Sequence, residues 1–132
     1  MGFLVGIDLV DVVDIDDSVE RYGNRYLTRV YTQEELASWQ PSRGNEWLAT
    51  CFAAKEATLK ALGAATDDMA LTSVALQIDA SGRTGVALSG AAATVAADAG
   101  IREISVSVTP TRGCVAAVAL AETTCEPRET AA

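Results

Sequence analysis

Histidine is absent from all 132 residues. Its absence removes Ser-His-Asp triads, imidazole metal ligands and imidazole general bases together. Acid-base work is left to carboxylates, lysine, tyrosine, thiols or metal-activated water. Cysteine is scarce: Cys51, Cys114 and Cys125 are odd in number and show no Cys-x-x-Cys spacing. A zinc cage and a disulfide framework are both disfavoured, and a reducing, cytoplasmic setting is expected. Basic residues number 10 against 18 acidic ones, a formal charge of −8, so the basic field that nucleic acid needs is missing. No apolar run approaches the roughly 20 residues of a membrane span. The N-terminus lacks a basic region and Asp8 interrupts its apolar run, so it does not read as a signal peptide.

What the chain does contain is apolar residues, 49% of the total, with 21% charged. That balance suits one packed domain, expected over residues 1–122, with a tail lacking apolar pattern at 123–132. Phe3, Val5, Ile7 and Leu9 alternate with Leu4, Gly6 and Asp8, the period of a strand. Asp14, Asp16, Asp17 and Ser18 resemble helix-start chemistry, and one helix is expected from Asp16 to Val30, weakened at Gly23. Thr32-Gln33-Glu34-Glu35 fits a capping box that opens a short helix through Trp39. Pro41 to Gly44 reads as a loop, and a long helix is expected from Asn45, stopping at Gly63. Beyond it come a loop over Ala64 to Asp68, strands over Leu71–Ile78 and Thr84–Leu88, and an alanine-rich helix from Gly90 to Ala99. Two further strands, Ile104–Thr109 and Cys114–Ala121, complete the order. The predicted class is α+β, a largely antiparallel sheet packed on one long helix.

Two segments carry chemistry. Leu48, Phe52, Glu56 and Lys60 recur every four residues, so on a helix they share one face. The stripe begins apolar and should turn inward, yet it continues into a carboxylate and an ammonium. Inward charge is costly unless it is paired or holds an ion. Asp8 poses the same problem in the middle of an apolar strand. Two carboxylates set in apolar sequence can hold a hard divalent cation between them. The plainer readings are an i,i+4 Glu56–Lys60 pair on a solvated face and a cap or salt bridge for Asp8. Asp11, Asp14, Asp16 and Asp17 lack the glycine and closing glutamate of a calcium loop and read as a solvated acidic edge. Arg21, Arg25 and Arg29 recur at i, i+4 and i+8, either as a solvated face or as a docking strip for an acidic partner.

Gly6-Ile7-Asp8-Leu9-Val10 followed by Phe52-Ala53-Ala54-Lys55-Glu56-Ala57 and Lys60-Ala61 resembles the signature of the holo-acyl-carrier-protein synthases, the stand-alone 4′-phosphopantetheinyl transferases. Arg29 to Glu35 is similar to that family's Arg-x-x-Thr-x-x-Glu segment, and Ser105–Thr109 with Val115–Glu122 to its closing hairpin. The likeness spans about Gly6 to Glu122. It implies transfer of 4′-phosphopantetheine from coenzyme A to a serine of an apo acyl carrier protein, with Mg2+, or Mn2+, held by Asp8 and Glu56. It implies catalytic roles for Glu56 and Lys60 and coenzyme A contacts at Lys60, Gly63, Arg83 and Thr109. Carrier docking falls on Arg21, Arg25 and Arg29, and the assembly implied is a homotrimer with active sites between subunits. The Cys114–Ala121 strand, apolar on both faces, fits such a contact.

The chain departs from the family pattern at Asp14 and Cys51, where arginine is common, and at Pro110, where histidine is usual. Gly63-Ala64-Ala65-Thr66 replaces a Gly-Thr-Gly turn, and Gly82-Arg83-Thr84 replaces Gly-Lys/Arg-Pro. Most of these changes fall on substrate contacts, while Asp8, Glu56 and Lys60 are retained. They imply weaker coenzyme A binding, which a charge restored by Cys51→Arg would repair if that position faces the nucleotide; from its place on the helix alone, Cys51 reads as a packing residue. The alternative reading is a non-catalytic or repurposed homologue that binds a carrier protein or synthase complex.

Overall fold

The structure is a computed structural model and describes residues 2–63 and 68–124. In chain order it contains β1 (Gly2–Asp11), α1 (Val12–Tyr22), α2 (Asn24–Val30), α3 (Gln33–Ser38), α4 (Glu46–Leu62), β2 (Val74–Ile78), β3 (Thr84–Leu88), α5 (Gly90–Asp98), β4 (Ile101–Thr111) and β5 (Cys114–Thr123). The five strands form one antiparallel sheet in the order β1-β5-β4-β3-β2, and α4 packs across β1, β5 and β4. This is the expected α+β arrangement.

Alternation decides which face of the sheet meets the helix. On β1 the even positions, Gly2 to Val10, turn toward α4, and on β5 the residues Val115, Ala117, Ala119 and Ala121 do so. The helix answers with Ala53, Ala54, Ala57 and Ala61, all buried. Small side chains on both surfaces let backbone approach backbone. The closest point is Gly6, where a Cβ would lie 1.8 Å from the Ala57 carbonyl oxygen and 2.7 Å from the Ala61 nitrogen. No other residue fits there, and this contact fixes where β1 sits along α4. A smaller core of Leu59, Leu62, Val74, Ala92 and Ala96 seats α5 beside the end of α4.

Charge also holds the core. Glu35 and Lys55 form an ion pair at 2.6 Å with both side chains essentially inaccessible to water. Glu35 Oε1 also accepts from the Thr32 amide at 2.8 Å, closing the capping box, and its Oε2 accepts from the Leu76 amide at 3.0 Å. Lys55 Nζ donates to the Leu71 carbonyl at 3.2 Å and to the Val74 carbonyl. One buried pair therefore ties α3, α4 and the start of β2 together.

Several expected boundaries move. The single helix from Asp16 to Val30 starts earlier, at Val12, and is divided. Gly23 has φ +53° and ψ −129°, a conformation that no side-chain-bearing residue adopts without strain, so α1 and α2 follow different axes. The segment Leu71–Ser73 is a 3-10 turn and the strand begins only at Val74. β4 and β5 both run longer than expected, and β5 takes in Thr123, the first residue of the expected tail. Pro41–Arg43 forms a 3-10 turn. The expected loop at 64–67 and the tail at 125–132 lie outside the described residues.

Candidate active site

The Gly6 contact brings Asp8, two residues along β1, beside Glu56, one position before Ala57 on α4. Both carboxylates line one cavity of ≈ 380 Å3. Its walls come from four elements: Asp8 and Val10 of β1, Asp14 and Ser18 of α1, Tyr26 of α2, and Phe52 with Glu56 of α4. Leu48, Phe52, Glu56 and Lys60 do share a helix face, but the stripe does not stay inward. It passes from fully buried Leu48 through half-buried Phe52 and Glu56 to exposed Lys60. Glu56 thus stands at the boundary between core and solvent.

The partner of Lys60 is not Glu56, as the simple i,i+4 reading had it, but Asp8. Lys60 Nζ donates to Asp8 Oδ1 at 2.8 Å and to the Ile7 carbonyl at 3.1 Å. Burial raises the Glu56 carboxyl above the ordinary range, the Asp8 charge raises it further, and Lys60 opposes both. Asp8 and Glu56 thus stand as like charges on one cavity, a repulsion that a bound cation would relieve. Two hard oxygen donors suit Mg2+, which keeps several waters and takes one or two carboxylates beside substrate phosphates. Among the described residues no group of three or more His, Cys, Asp and Glu is placed to hold an ion, which is unlike a zinc cage. The remaining acids of the Asp11–Asp17 run behave as an acidic edge: Asp16 accepts from Asn45 Nδ2 at 2.8 Å, and Asp11 and Asp17 are exposed.

Other candidates lie elsewhere. Arg21, Arg25 and Arg29 are all exposed, but the break at Gly23 puts Arg21 on α1 and the other two on α2, so the continuous stripe is lost. Arg83 is exposed in the turn between β2 and β3, at a second and wider cleft with Gln77, Asp79 and Ser105. That cleft opens because β3 and β4 pair only at Gly85 and Ser105. Thr109 is exposed on β4, on the sheet face away from α4, so within one chain it does not meet Asp8 and Glu56. Gly63 caps α4 one turn beyond Lys60.

At Cys51 the packing reading holds and the lost-contact reading does not. The residue is fully buried beside Glu35 and Lys55, and burial, followed by the Glu35 charge, pushes its thiol well up. Its side chain does not reach the surface, so Cys51→Arg would bury a guanidinium instead of restoring a surface contact. Sequence reasoning placed Asp14 on a solvated edge at a docking position, and missed Tyr26 and Lys55. Asp14 and Tyr26 line the cavity, and the Tyr26 hydroxyl lies 2.9 Å from that of Tyr31, ring edge to ring face. Burial raises both phenols, so both stay protonated. Lys55 left a readable signal: its helix neighbours Cys51, Thr58 and Leu59 are core types, and a lysine there requires a buried counter-charge.

The fold is that of the holo-acyl-carrier-protein synthases. The Chronobacterium ammoniagenes ACPS–CoA complex superposes with a TM-score of 0.81 at 26% identity, covering 95% of this chain and 100% of that one. A sequence model of the 4′-phosphopantetheinyl transferase superfamily matches residues 4–119, and the chain belongs to that family. The holo-[acyl-carrier-protein] synthase of Desulfovibrio desulfuricans is 33% identical over 119 residues, 89% of this chain and 95% of that protein. The one from Paramagnetospirillum magneticum is 40% identical over 96 residues, 70% of this chain and 72% of that protein.

Proposed function

We infer that the chain transfers the 4′-phosphopantetheine group of coenzyme A to a serine of an apo acyl carrier protein. The observation that carries this reading is the convergence of Asp8 and Glu56 on one cavity, with Lys60 alongside, in a chain of this family. Its relatives are holo-[acyl-carrier-protein] synthases, and one structural neighbour is a coenzyme A complex.

Asp8 and Glu56 would hold Mg2+ or Mn2+, which when bound neutralises charge growing on the pyrophosphate oxygens. The carrier serine Oγ bonds to the β-phosphorus. The bond from that phosphorus to the bridging oxygen breaks, and 3′,5′-ADP leaves with the electron pair. The serine proton passes to Glu56 or to a solvent oxygen beside it; a carboxyl with raised proton affinity suits that task. Lys60, at the solvent edge, supplies positive charge to a phosphate oxygen. Release of 3′,5′-ADP that requires both apo carrier and coenzyme A tests the reaction; release with coenzyme A alone would reduce it to hydrolysis.

Docking by Arg21, Arg25 and Arg29 is supported by their elements. Cavity residues Asp14, Ser18 and Tyr26 belong to the same two helices. A carrier held on the outer surface of α1 and α2 therefore presents its serine toward Glu56.

We further infer a homotrimer with shared active sites. Support comes from the sheet face opposite α4, where Phe3 (58%), Val5 (56%), Ile7 (62%) and Leu9 (69%) are exposed beside Val118 and Leu120. A row of large apolar side chains on an edge strand and its neighbour calls for cover. Thr109 lies on that same face, so a second copy seated there would reach it. A monomer mass by light scattering at micromolar concentration would count against the assembly. No helix among the described residues is long and apolar enough to cross a membrane, and free thiols at Cys51 and Cys114 suit a reducing compartment; we assign the chain to the cytoplasm.

A further inference from the structure

Lys60 binds one oxygen of the Asp8 carboxylate, a group that a divalent cation would also use. Its ammonium donates to Asp8 Oδ1 and to the Ile7 carbonyl, at 2.8 and 3.1 Å. The lysine side chain is 54% exposed, the aspartate only 14%. The anion is therefore fixed in the wall of the site, while its cationic partner sits on a flexible stem reaching in from solvent.

A magnesium ion contacts a carboxylate oxygen at about 2.0–2.1 Å. An ammonium donating to the same oxygen would then stand close to a dication with little water between them. Like charges at that range repel strongly, and the lysine is the mobile member. Asp8 Oδ1 has capacity for further partners, but the repulsion makes lysine and dication alternatives. Glu56 shares the field of both groups: Asp8 raises its carboxyl and Lys60 lowers it. The ammonium already performs part of the neutralisation that a metal would perform.

We propose that Lys60 and the divalent cation compete for Asp8, and that cation binding hands Lys60 from Asp8 to a phosphate of the nucleotide substrate. The proposal deepens the reading of Asp8 and Glu56 as cation ligands and rests on it. Two consequences follow. A cation binding alone must displace Lys60, so its affinity is held down. A diphosphate ligand that draws Lys60 away relieves the competition, so cation and coenzyme A bind with positive coupling, and linkage makes the effect reciprocal. Metal would then be retained mainly when substrate is present.

The test is Mn2+ binding, followed by the electron paramagnetic resonance signal of the free ion, with and without coenzyme A. Wild type, Lys60→Met, Lys60→Arg and Asp8→Asn are compared. Without nucleotide, Lys60→Met should bind Mn2+ roughly fivefold or more tightly than wild type, at the low end of usual coupling strengths, and Lys60→Arg should stay near wild type. The tightening by coenzyme A should be smaller in Lys60→Met than in wild type. A crystal grown with Mn2+ should show Lys60 Nζ detached from Asp8. Equal or weaker Mn2+ binding by Lys60→Met, or a Mn2+ complex that keeps the Lys60–Asp8 contact, overturns the competition. Asp8→Asn separates the two levels. If it does not weaken Mn2+ binding, or wild type binds none, the cation site itself fails and the inference with it. If Asp8→Asn weakens binding while Lys60→Met does not tighten it, only the inference fails.

Discussion

Glu35 and Lys55 meet at 2.6 Å in the dry centre of the protein, and both lie in sequence segments that resemble the family. The capping-box glutamate at the start of α3 is the counter-charge of the lysine next to Glu56. The pair fixes the rotation of α4 about its axis, and that rotation decides where Glu56 points.

Removing one partner leaves the other charged, buried and without its counter-ion. Lys55→Met should therefore cost about 3–5 kcal/mol of stability. Lys55→Met combined with Glu35→Gln should recover part of that loss, because the amide carries no charge, although its single oxygen can accept from only one of the Thr32 and Leu76 amides. Urea unfolding of the two single variants and the double variant measures the coupling. Independent, additive losses would mean that the pair contributes no more than two separate side chains.

Much of this arrangement was legible in the sequence, and the gaps have physical causes. Local signals read well: the Thr32 capping box, the extent of α4 and the Thr84–Leu88 strand all stand as expected. Gly23 was visible as a weak point, but whether a glycine interrupts a helix depends on its backbone angles, which tertiary packing sets. The approach of Asp8 to Glu56 was argued from two acids in apolar settings, and the cavity between β1 and α4 joins them. What could not be read was partnership at long range. Lys60 has a carboxylate four residues away and chooses one 52 residues away. Cys51 carries two readings, packing from its place on the helix and a lost contact from the resemblance, and its burial on the face of α4 that meets Glu35 decides for packing.

Glu56 gives a pH-dependent signature. Its carboxyl is raised above the ordinary value of 4.5, first by burial and then by Asp8. Between that value and the raised one, the folded chain keeps a proton that the unfolded chain has released, so stability falls as pH rises through the window. Glu56→Gln holds the neutral form at every pH. The variant should melt higher than wild type at pH 7, and the difference should close below pH 4.5. Its transfer rate should fall roughly 100-fold or more, whether Glu56 acts as ligand or base. A melting temperature unchanged at neutral pH would show that the carboxylate is not strained by its surroundings.

The exposed arginines of α1 and α2 should respond to salt. Arg25→Glu should raise the KM for carrier protein severalfold and leave that for coenzyme A nearly unchanged. The defect should shrink with ionic strength, because exposed charges act over a Debye length of about 8 Å at physiological salt. Arg29→Glu, on the same helix, should behave alike. Arg21→Glu, beyond the Gly23 break, should be milder if the carrier contacts mainly α2. Equal effects on both substrates would return these residues to an ordinary solvated surface.

The central claim is that the Asp8–Glu56 cavity carries out phosphopantetheine transfer, and intact-mass spectrometry of the carrier tests it directly. Apo acyl carrier protein incubated with this chain, coenzyme A and magnesium should gain the mass of one phosphopantetheine, located on a serine. The gain should disappear with a chelator and with Asp8→Asn. A carrier that keeps its apo mass across a panel of carrier proteins would contradict the account and leave a family member that binds carriers without modifying them.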